Sequence, residues 1–503
     1  MAESTLSARA LDTLLGEWRG GSSAYQALAE RVRLLILDGR IPVDTRLPAE
    51  RDLAERLGLS RTTVTAAYRE LREHGLVLSV RGSGSVARLP GIPATLPAPP
   101  DAEYIDFSKA APPALPWLHD VARAALDDLP AQLADSGFDP IGTPALRAAI
   151  ADRYTARGLP TTPEQIMVTI GAQHAIALLS RALVGRGDRA LIEAPTYPHA
   201  YEALRAAGAR LVQVSVTPAG AASPQTDRLD DGRFVSDTFD TEPFGTDPHD
   251  LGDEVEAMTR AIRHSNPVAA YLMPDFQNPT GRSMSVATRE RVLDAAARQG
   301  TVVIADETIA ELDIDRGTSY LPLAAYGDAV MVGSVGKTVW GGLRVGWIRA
   351  DRPLIRRLLA VRSPGDLGTP IIEQLIVARL LERMDDILDL RREQLRTGRA
   401  RLEGLLAEAF PDWHVPHVDG GIVTWVGLGA PVSSQLALAA RAQGLIIAAG
   451  PRFGIDGAFE RFLRLPFCYP AETTDAAVQA LARAWRSLSR TPVPEQSLLT
   501  SVV

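Results

Sequence analysis

Seven short apolar segments alternate with helical sequence along the chain, at residues 166–170, 189–193, 211–216, 268–273, 301–306, 330–334 and 345–350. The stretches between them, such as PALRAAIADRY and ATRERVLDAAARQ, have the apolar spacing of helices. Repeated β-α units form a mainly parallel sheet with helices on both faces, and ligands of such sheets bind beyond the carboxyl ends of the strands. The sequence therefore predicts an α/β fold with a ligand site at one edge of its sheet.

A proline-rich stretch divides the chain into two folding units. Residues 88–101 read RLPGIPATLPAPPD, a composition typical of an extended linker. We place the linker at 89–102, between an N-terminal unit at 22–88 and the α/β unit at 103–490, whose smaller α+β lobe begins at about residue 385. Residues 218–250 carry eight acidic side chains and two arginines among little apolar sequence, which predicts a disordered acidic insertion.

Composition excludes several classes of protein. The chain has 503 residues and a formal net charge of −8, and its one cysteine, Cys468, excludes a disulfide framework. No apolar run approaches the roughly 20 residues needed to cross a bilayer, and residues 1–21 lack the apolar core of a secretion signal. We therefore expect a cytoplasmic protein without membrane contact, and no metal site is predicted.

The N-terminal unit is predicted to contain three helices followed by a hairpin. The helices are expected at residues 25–37, 48–57 and 60–75, and the hairpin surrounds the sequence RGSG in LVLSVRGSGSVA. Residues 40–90 contain nine arginines and six acidic residues, although the whole chain is acidic. This local excess of positive charge favours a polyanionic partner.

This order of elements is typical of a helix-turn-helix with a basic wing, in which the start of the last helix meets DNA. Val64 and Tyr68 are expected to face inward. The residues placed where DNA contacts would fall are Arg51, Ser60, Arg61, Thr62, Thr63, Thr65, Arg81, Gly82 and Ser83. On spacing alone, a small helical interaction module remains an alternative. The stretch LPAERDLAERLGLSRTTVTAAYRELREHGLVLSVRGSGSVA, however, closely resembles the winged helix-turn-helix of GntR-type transcriptional regulators, across almost all of residues 23–88.

Lysine is scarce, because only Lys109 and Lys337 are present among 53 basic residues. Lys337 lies in GSVGKTVWGGLRVGW, on a glycine-rich turn after an apolar segment. A lysine in such a pocket can form a Schiff base with an aldehyde cofactor. A plain surface turn is the alternative, whereas a P-loop is excluded because the pattern GxxxxGK[ST] is absent.

Further polar residues follow the other predicted strands in chain order. Gly171, Ala172 and Gln173 open a helix after the first strand. The candidates at the other predicted strands are Tyr197, Asn278, Asp306, Ser334 and Arg344. A pyridoxal phosphate site needs an acid for the pyridine nitrogen, donors for the phosphate and the phenolic oxygen, and a flat group over the ring. Together with Lys337, these residues resemble the site of fold type I pyridoxal phosphate enzymes of the aminotransferase class, and the likeness covers nearly all of residues 103–490.

The resemblance implies a role for each residue. Lys337 forms the Schiff base, and Asp306 pairs with the pyridine nitrogen. Asn278 donates to the phenolic oxygen, Tyr197 stacks on the ring, and Arg464 in FLRLPF holds a substrate or effector carboxylate. The phosphate is held by Gly171, Ala172, Gln173, Ser334 and Arg344.

Two positions depart from the family's pattern. No tyrosine follows Asp306, because the sequence continues Glu307-Thr308-Ile309, and Gly336 precedes the lysine where the family often has serine. In the family the tyrosine helps to bind the phenolic oxygen, and the serine before the lysine is a phosphate ligand.

A winged helix joined by a proline-rich linker to such a domain resembles the MocR subfamily of GntR-type regulators. The resemblance implies a regulator that binds operator DNA and senses pyridoxal phosphate or an amino compound. It also implies a head-to-tail homodimer with exchanged DNA-binding units. One alternative is a pyridoxal-phosphate-dependent aminotransferase with an accessory DNA-binding unit, and another is a structural adaptor that has lost the cofactor.

Overall fold

The computed structural model describes residues 6–15, 18, 23–37, 41, 45–80, 84–87, 104–216, 248–318, 320–455 and 459–488. The chain divides into two compact units. The first comprises Met1–Asp106, Leu428–Leu463 and Gln479–Val503, and the second comprises Phe107–Gly427 and Arg464–Val478. No helix in the described ranges is long and apolar enough to cross a membrane.

The described residues form fifteen α-helices and fourteen strands. The helices are α1 (Ala8–Leu15), α2 (Ala24–Leu37), α3 (Glu50–Leu57), α4 (Arg61–Glu73), α5 (Leu118–Ala125), α6 (Pro144–Ala156), α7 (Gly171–Leu183), α8 (Pro198–Ala206), α9 (Pro248–Ser265), α10 (Val286–Gln299), α11 (Arg352–Arg362), α12 (Ile371–Leu381), α13 (Met384–Ala409), α14 (Ser433–Ala442) and α15 (Ala471–Ser487). The strands are β1 (Val77–Val80), β2 (Gly84–Ala87), β3 (Ile105–Asp106), β4 (Ile166–Thr169), β5 (Arg189–Ala194), β6 (Arg210–Ser215), β7 (Ala269–Leu272), β8 (Val302–Asp306), β9 (Val330–Ser334), β10 (Gly346–Arg349), β11 (Val423–Gly427), β12 (Leu445–Ile446), β13 (Ala448–Ala449) and β14 (Phe462–Pro466).

The N-terminal part of the first unit is a helical bundle followed by an antiparallel hairpin. Helices α2, α3 and α4 pack on one apolar core, in which Val64 and Tyr68 are fully buried as predicted. The hairpin pairs β1 with β2, from Val77↔Ala87 to Val80↔Gly84. The sequence reading missed α1, whose buried Leu11 and Leu15 belong to the same core.

A seven-stranded sheet forms the centre of the second unit, in the order β4-β10-β9-β8-β7-β5-β6. Strand β10 is antiparallel to both neighbours, and the other strands run parallel to one another. The strands β4, β7 and β8 are buried almost throughout, because helices cover both faces of the sheet. The predicted α/β fold is confirmed, and each of the seven apolar segments matches one strand to within one residue at either end.

Two predicted segments fall largely outside the described residues. The linker at 89–102 lies outside them entirely, as does the acidic insertion up to residue 247. The last three residues of the insertion, 248–250, begin helix α9 instead of being disordered. Pro248 suits the first helical position because its fixed φ matches a helix and its missing N–H would have no partner there.

Candidate cofactor site and DNA-binding surface

The predicted cofactor residues of the second unit meet at one edge of the large sheet. Gly171 follows β4, Tyr197 follows β5, Asn278 follows β7, and Lys337 follows β9. Asp306 is the last residue of β8, and Ser334 is the last residue of β9. Because β10 runs in the opposite direction, Arg344, just before it, reaches the same edge. The topology therefore gathers these residues where an α/β sheet binds its ligand.

Lys337 is held at this edge by a backbone carbonyl. Its Nζ donates a hydrogen bond to the carbonyl oxygen of Ala110 at 2.7 Å. Burial lowers the pKa of Lys337, and the nearby positive charges of Arg464 and Arg344 lower it further, against the opposing effect of Cys468 and Asp306. A lowered pKa increases the fraction of neutral amine, which is the form that attacks an aldehyde.

Asp306 is held by two hydroxyl groups that the sequence reading missed. The Tyr271 hydroxyl donates to Oδ2 at 2.6 Å, and the Thr308 hydroxyl donates to Oδ1 at 2.7 Å. The backbone N–H of Thr308 also donates to Oδ1, at 3.0 Å. Burial raises the pKa of Tyr271 well above its ordinary value, and so does the negative charge of Asp306. Tyr271 therefore keeps its proton and acts as the donor to the carboxylate.

The start of α7 and the loop before β10 form a cradle of backbone and guanidinium groups. Gly171 has φ +78°, and a Cβ atom there would lie 2.7 Å from the Arg344 Nη2 atom. Arg344 Nη2 donates to the carbonyl oxygen of Ile170 at 3.2 Å. Ala172 and Gln173 are in the first turn of α7, where backbone N–H groups have no partner within the helix. Such groups, together with an arginine, suit a phosphate.

Ser334 is tied to the loops on either side of Lys337. Its hydroxyl donates to the carbonyl oxygen of Val345 at 3.0 Å and accepts a hydrogen bond from the Gly336 N–H at 3.0 Å. At Gly336, a Cβ would lie 3.2 Å from this hydroxyl oxygen. A serine at this position would therefore press on Ser334, which gives the departure at Gly336 a local steric reason.

Tyr197 and Arg464 lie within electrostatic reach of the same centre, and Asn278 follows β7 at the same edge of the sheet. Burial raises the pKa of Tyr197 to about 12, with a further contribution from Asp306 and opposing effects from Arg464 and Arg344. Arg464 is buried and donates to the carbonyl oxygen of Ser108. Asn278 Oδ1 is buried and has no hydrogen-bond partner among the described residues. A buried amide oxygen without a protein partner is an acceptor that a donor of a ligand can use.

Six of the nine predicted DNA-binding residues belong to the described part of the first unit, on α3, at the cap of α4 or in its first two turns. Arg51, Arg61 and Thr62 are exposed at α3 and α4. Ser60 caps α4, because its Oγ accepts from the Thr63 N–H at 3.1 Å. The Oγ1 atoms of Thr62 and Thr63 each lie 2.7 Å from Ser60 Oγ. Thr65 donates to Glu50 Oε2 at 2.6 Å. Arg81, Gly82 and Ser83 lie outside the described residues.

A further arginine, which the sequence reading did not single out, lies beside the hairpin. Arg46 forms a bridge with Val86, and its Nε atom would be 3.5 Å from a Cβ at Gly84. Its exposed guanidinium therefore lies over the start of β2. The sequence offered a signal for this residue, since Arg46 directly precedes the stretch LPAERDLAERL, which carries the resemblance to GntR-type regulators.

Comparison with known families decides between the classes that these sites allow. The model of the family "Aminotransferase class I and II" matches residues 104–484. The chain belongs to this family. The model "Bacterial regulatory proteins, gntR family" matches residues 24–86. The combination is the MocR-type architecture that the sequence resembles.

Relatives of both kinds cover most of the chain. YdcR of Escherichia coli (strain K12), named as an uncharacterized HTH-type transcriptional regulator, is 27% identical, and the match covers 91% of this chain and 98% of YdcR. A 2-aminoadipate transaminase of Thermus thermophilus is 28% identical and covers 78% of this chain and 89% of its own length. The crystal structure of LysN, an α-aminoadipate aminotransferase from Thermus thermophilus, has a TM-score of 0.62 and 25% sequence identity, and covers 76% of this chain and 92% of its own.

Pyridoxal phosphate is the cofactor that this family and fold imply. The residues present fit it. Asn278 has a buried amide oxygen without a described partner, and Gly171 leaves open the space that a Cβ would fill beside Arg344. Lys337 supplies an amine of lowered pKa, and Asp306 supplies a carboxylate that is held in place.

Proposed function

We propose that the protein is a transcriptional regulator that binds operator DNA through its GntR-type helices and senses an amino compound, or pyridoxal phosphate itself, through Lys337. The observation that carries the proposal is the pairing, on one chain, of the capped helix α4 with Lys337 and Asp306 at one edge of the large sheet. Similarity to the Escherichia coli regulator over 91% of the chain supports this pairing. A DNA-binding regulator of this kind would act in the cytoplasm.

In this proposal each residue of the sheet edge has a defined task toward the cofactor. Pyridoxal phosphate, when bound, supplies an aldehyde that condenses reversibly with primary amines. Lys337 provides the amine, and Asp306 faces the pyridine nitrogen as a carboxylate kept in place by Tyr271 and Thr308. The first turn of α7 and Arg344 hold the phosphate, with Ser334 fixing the adjacent loop.

The effector chemistry follows from the cations at the site. An effector needs a primary amine to replace Lys337 on the cofactor. Arg464 offers a guanidinium for a carboxylate, which it can bind through two parallel hydrogen bonds. We therefore propose an amino acid or a related amino carboxylate as the effector class.

A visible absorption spectrum tests the cofactor part of the proposal. Wild type and Lys337→Ala would each be titrated with pyridoxal phosphate, because only the covalent linkage to lysine gives the long-wavelength band. We expect the band in wild type and its absence in Lys337→Ala. The absence of a band in both proteins would leave a DNA-binding protein whose signal enters elsewhere.

Arg61 tests the DNA part. Its side chain is exposed at the first position of α4. Arg61→Ala removes one guanidinium from the proposed interface and should weaken operator binding while leaving the cofactor spectrum intact. The matched control is Arg69→Ala, because Arg69 is also exposed on α4 but lies two turns further along. Equal operator affinity for wild type and Arg61→Ala would refute this placement of the recognition helix.

We also propose a homodimer, formed by the second unit. Leu133 is 71% exposed, Phe138 67%, and Leu367 56%. The loop of Phe138 lies against that of Leu367, because a Cβ at Gly368 would come within 2.3 Å of the Asp139 carbonyl oxygen. Phe138 and Leu367 are thus exposed on adjoining loops, and apolar side chains exposed in this way are typical of association surfaces. Sedimentation should show a dimer, and Phe138→Ser should weaken it. We include in this proposal the exchange of DNA-binding units between the two protomers, which the resemblance implies.

A second candidate function is transamination, which the likeness to the Thermus thermophilus transaminase favours. Lys337, Asp306 and Arg464 are the residues that would serve this reaction. Amino-donor and keto-acid assays on the purified protein distinguish the two candidates. Sustained turnover that depends on Lys337 would contradict a purely regulatory role.

A further inference from the structure

A short backbone segment of the second unit accepts hydrogen bonds from three cationic side chains. We call residues 107–113 the strap. The carbonyl oxygen of Ala110 accepts from Lys337 Nζ at 2.7 Å, and that of Pro113 accepts from Arg391 Nη2 at 2.6 Å. The carbonyl oxygen of Ser108 accepts from Arg464.

The strap is also fixed by packing. Phe107 is buried, and its ring stacks on Tyr469 with a centroid separation of 4.8 Å. Ala110 is 3% exposed and has φ +36°, an unfavourable value for a residue with a Cβ. A backbone held in this conformation needs contacts that maintain it. The hydrogen bond from Lys337 to the same residue is one of them.

Two of the three cations are the ones that ligands engage in the proposed function. When the neutral Lys337 amine condenses with an aldehyde, a C=N bond forms, the C=O bond breaks, and the oxygen leaves as water with both amine hydrogens. The ammonium proton leaves before this step, and the nitrogen is afterwards bonded to the aldehyde carbon with at most one proton. It therefore no longer donates to Ala110 as a freely rotating ammonium. A carboxylate that binds Arg464 likewise competes with the carbonyl oxygen of Ser108 for the guanidinium.

We propose that the strap is a latch, closed by Lys337 and Arg464 and released by the ligands that bind these two residues. This inference rests on the proposed cofactor function. Because one short segment carries both contacts, releasing one lowers the cost of releasing the other. Cofactor and a carboxylate-bearing effector should therefore favour each other's binding, which is a coupling between two sites.

The scarcity of lysine supplies a direct readout. A lysine-specific endoprotease has two possible targets in the chain, after Lys109 and after Lys337, and mass spectrometry separates their products. Lys109 is exposed, but cleavage at the Lys109–Ala110 bond requires the buried Ala110 backbone to leave its place. Cleavage after Lys109 therefore measures opening of the strap when closing is faster than cleavage.

Full-length protein would be digested with and without pyridoxal phosphate, and the visible band recorded in parallel. We expect the cofactor to raise the rate of cleavage after Lys109 about tenfold, the effect of losing one hydrogen bond from a charged donor. Lys337→Met should be cleaved rapidly with or without the cofactor. Lys337→Arg keeps a cationic donor but cannot condense with the aldehyde, so its cleavage should remain slow in both conditions.

The outcomes separate the latch from the cofactor function. The latch would be overturned if the visible band appears but the cofactor leaves cleavage after Lys109 unchanged or slower, and if Lys337→Met is cleaved as slowly as wild type without cofactor. The cofactor function would still stand in that case. No band in wild type would contradict the cofactor function, and the Lys337→Met digestion would still decide the latch. Circular dichroism of each variant checks that rapid cleavage does not come from global unfolding.

Discussion

Replacing Tyr271 by phenylalanine removes one hydroxyl and leaves the ring in place, which isolates its hydrogen bond to Asp306. The bond is 2.6 Å long, and both residues are at most 3% exposed. A hydrogen bond to a charged group contributes about 1.5–3 kcal/mol, and burial favours the upper part of that range. Because Thr308 still donates two hydrogen bonds to Oδ1, the carboxylate keeps partners and the loss should not exceed about 3 kcal/mol.

Urea unfolding of wild type, Tyr271→Phe, Asp306→Asn and the double variant measures the interaction as a double-mutant cycle. The matched control is Tyr154→Phe. Tyr154 is equally buried, but its hydroxyl accepts a hydrogen bond from the neutral Trp347 Nε1 at 3.2 Å, so its loss should cost only about 1 kcal/mol. A coupling energy below about 0.5 kcal/mol between Tyr271 and Asp306 would refute the reasoning.

The pH dependence gives a second check on Tyr271. Its pKa is raised in the folded protein above the ordinary value of 10.0. A group with a raised folded pKa contributes stability that is fully present below the unfolded pKa and is lost as pH rises through the folded pKa. The stability difference between wild type and Tyr271→Phe should therefore include this contribution in full below pH 10 and lose it only at higher pH.

Two further predictions concern the loops of the site. Gly171→Ala should lower the affinity for pyridoxal phosphate about tenfold or more, because its Cβ would lie 2.7 Å from the Arg344 Nη2 atom and enter the cradle, and φ +78° should also cost the alanine about 1–2 kcal/mol of stability. Gly187→Ala, at φ +90° with open space, should show a similar loss of stability but leave the affinity unchanged in the same spectroscopic titration. Asp275→Asn should lower the free energy of unfolding by about 3–5 kcal/mol, because it leaves the fully buried Arg289 without its carboxylate partner at 2.7 Å. Asp294→Asn breaks an exposed ion pair instead and should change urea stability by less than about 1 kcal/mol.

The parts of the fold that sequence predicted are those governed by local pattern. Each apolar segment of the second unit became a strand, because strands of a sheet covered on both faces must be apolar on both sides. Ser60 marked the start of α4 because a serine side chain at this position can accept a hydrogen bond from one of the first N–H groups of the helix. The short α1 escaped prediction, whereas the equally short α3 was predicted with the help of Gly58, which ends it in a left-handed conformation.

The parts of the site that sequence could not predict depend on strand register and tertiary packing. Tyr271 is opposite Ile304 in the parallel pair of β7 and β8, which places Asp306 two residues further along the neighbouring strand on the same face. Nothing local to either segment reveals this pairing. The contact of Lys337 with Ala110 joins residues 227 positions apart, and no periodicity in the sequence carries that information.

The charge balance of the site explains why an anionic ligand suits it. Lys337, Arg344 and Arg391 donate to backbone carbonyl oxygens, and none of the three has a carboxylate within ion-pair distance in the described part of the chain. Burial lowers the pKa of Arg391 to about 10, which is still high enough for the guanidinium to remain charged near neutral pH. Carbonyl dipoles orient these cations without neutralising them, and Asp306 supplies a nearby negative charge. The site therefore has an excess of positive charge, which the phosphate of a cofactor and the carboxylate of an effector would balance.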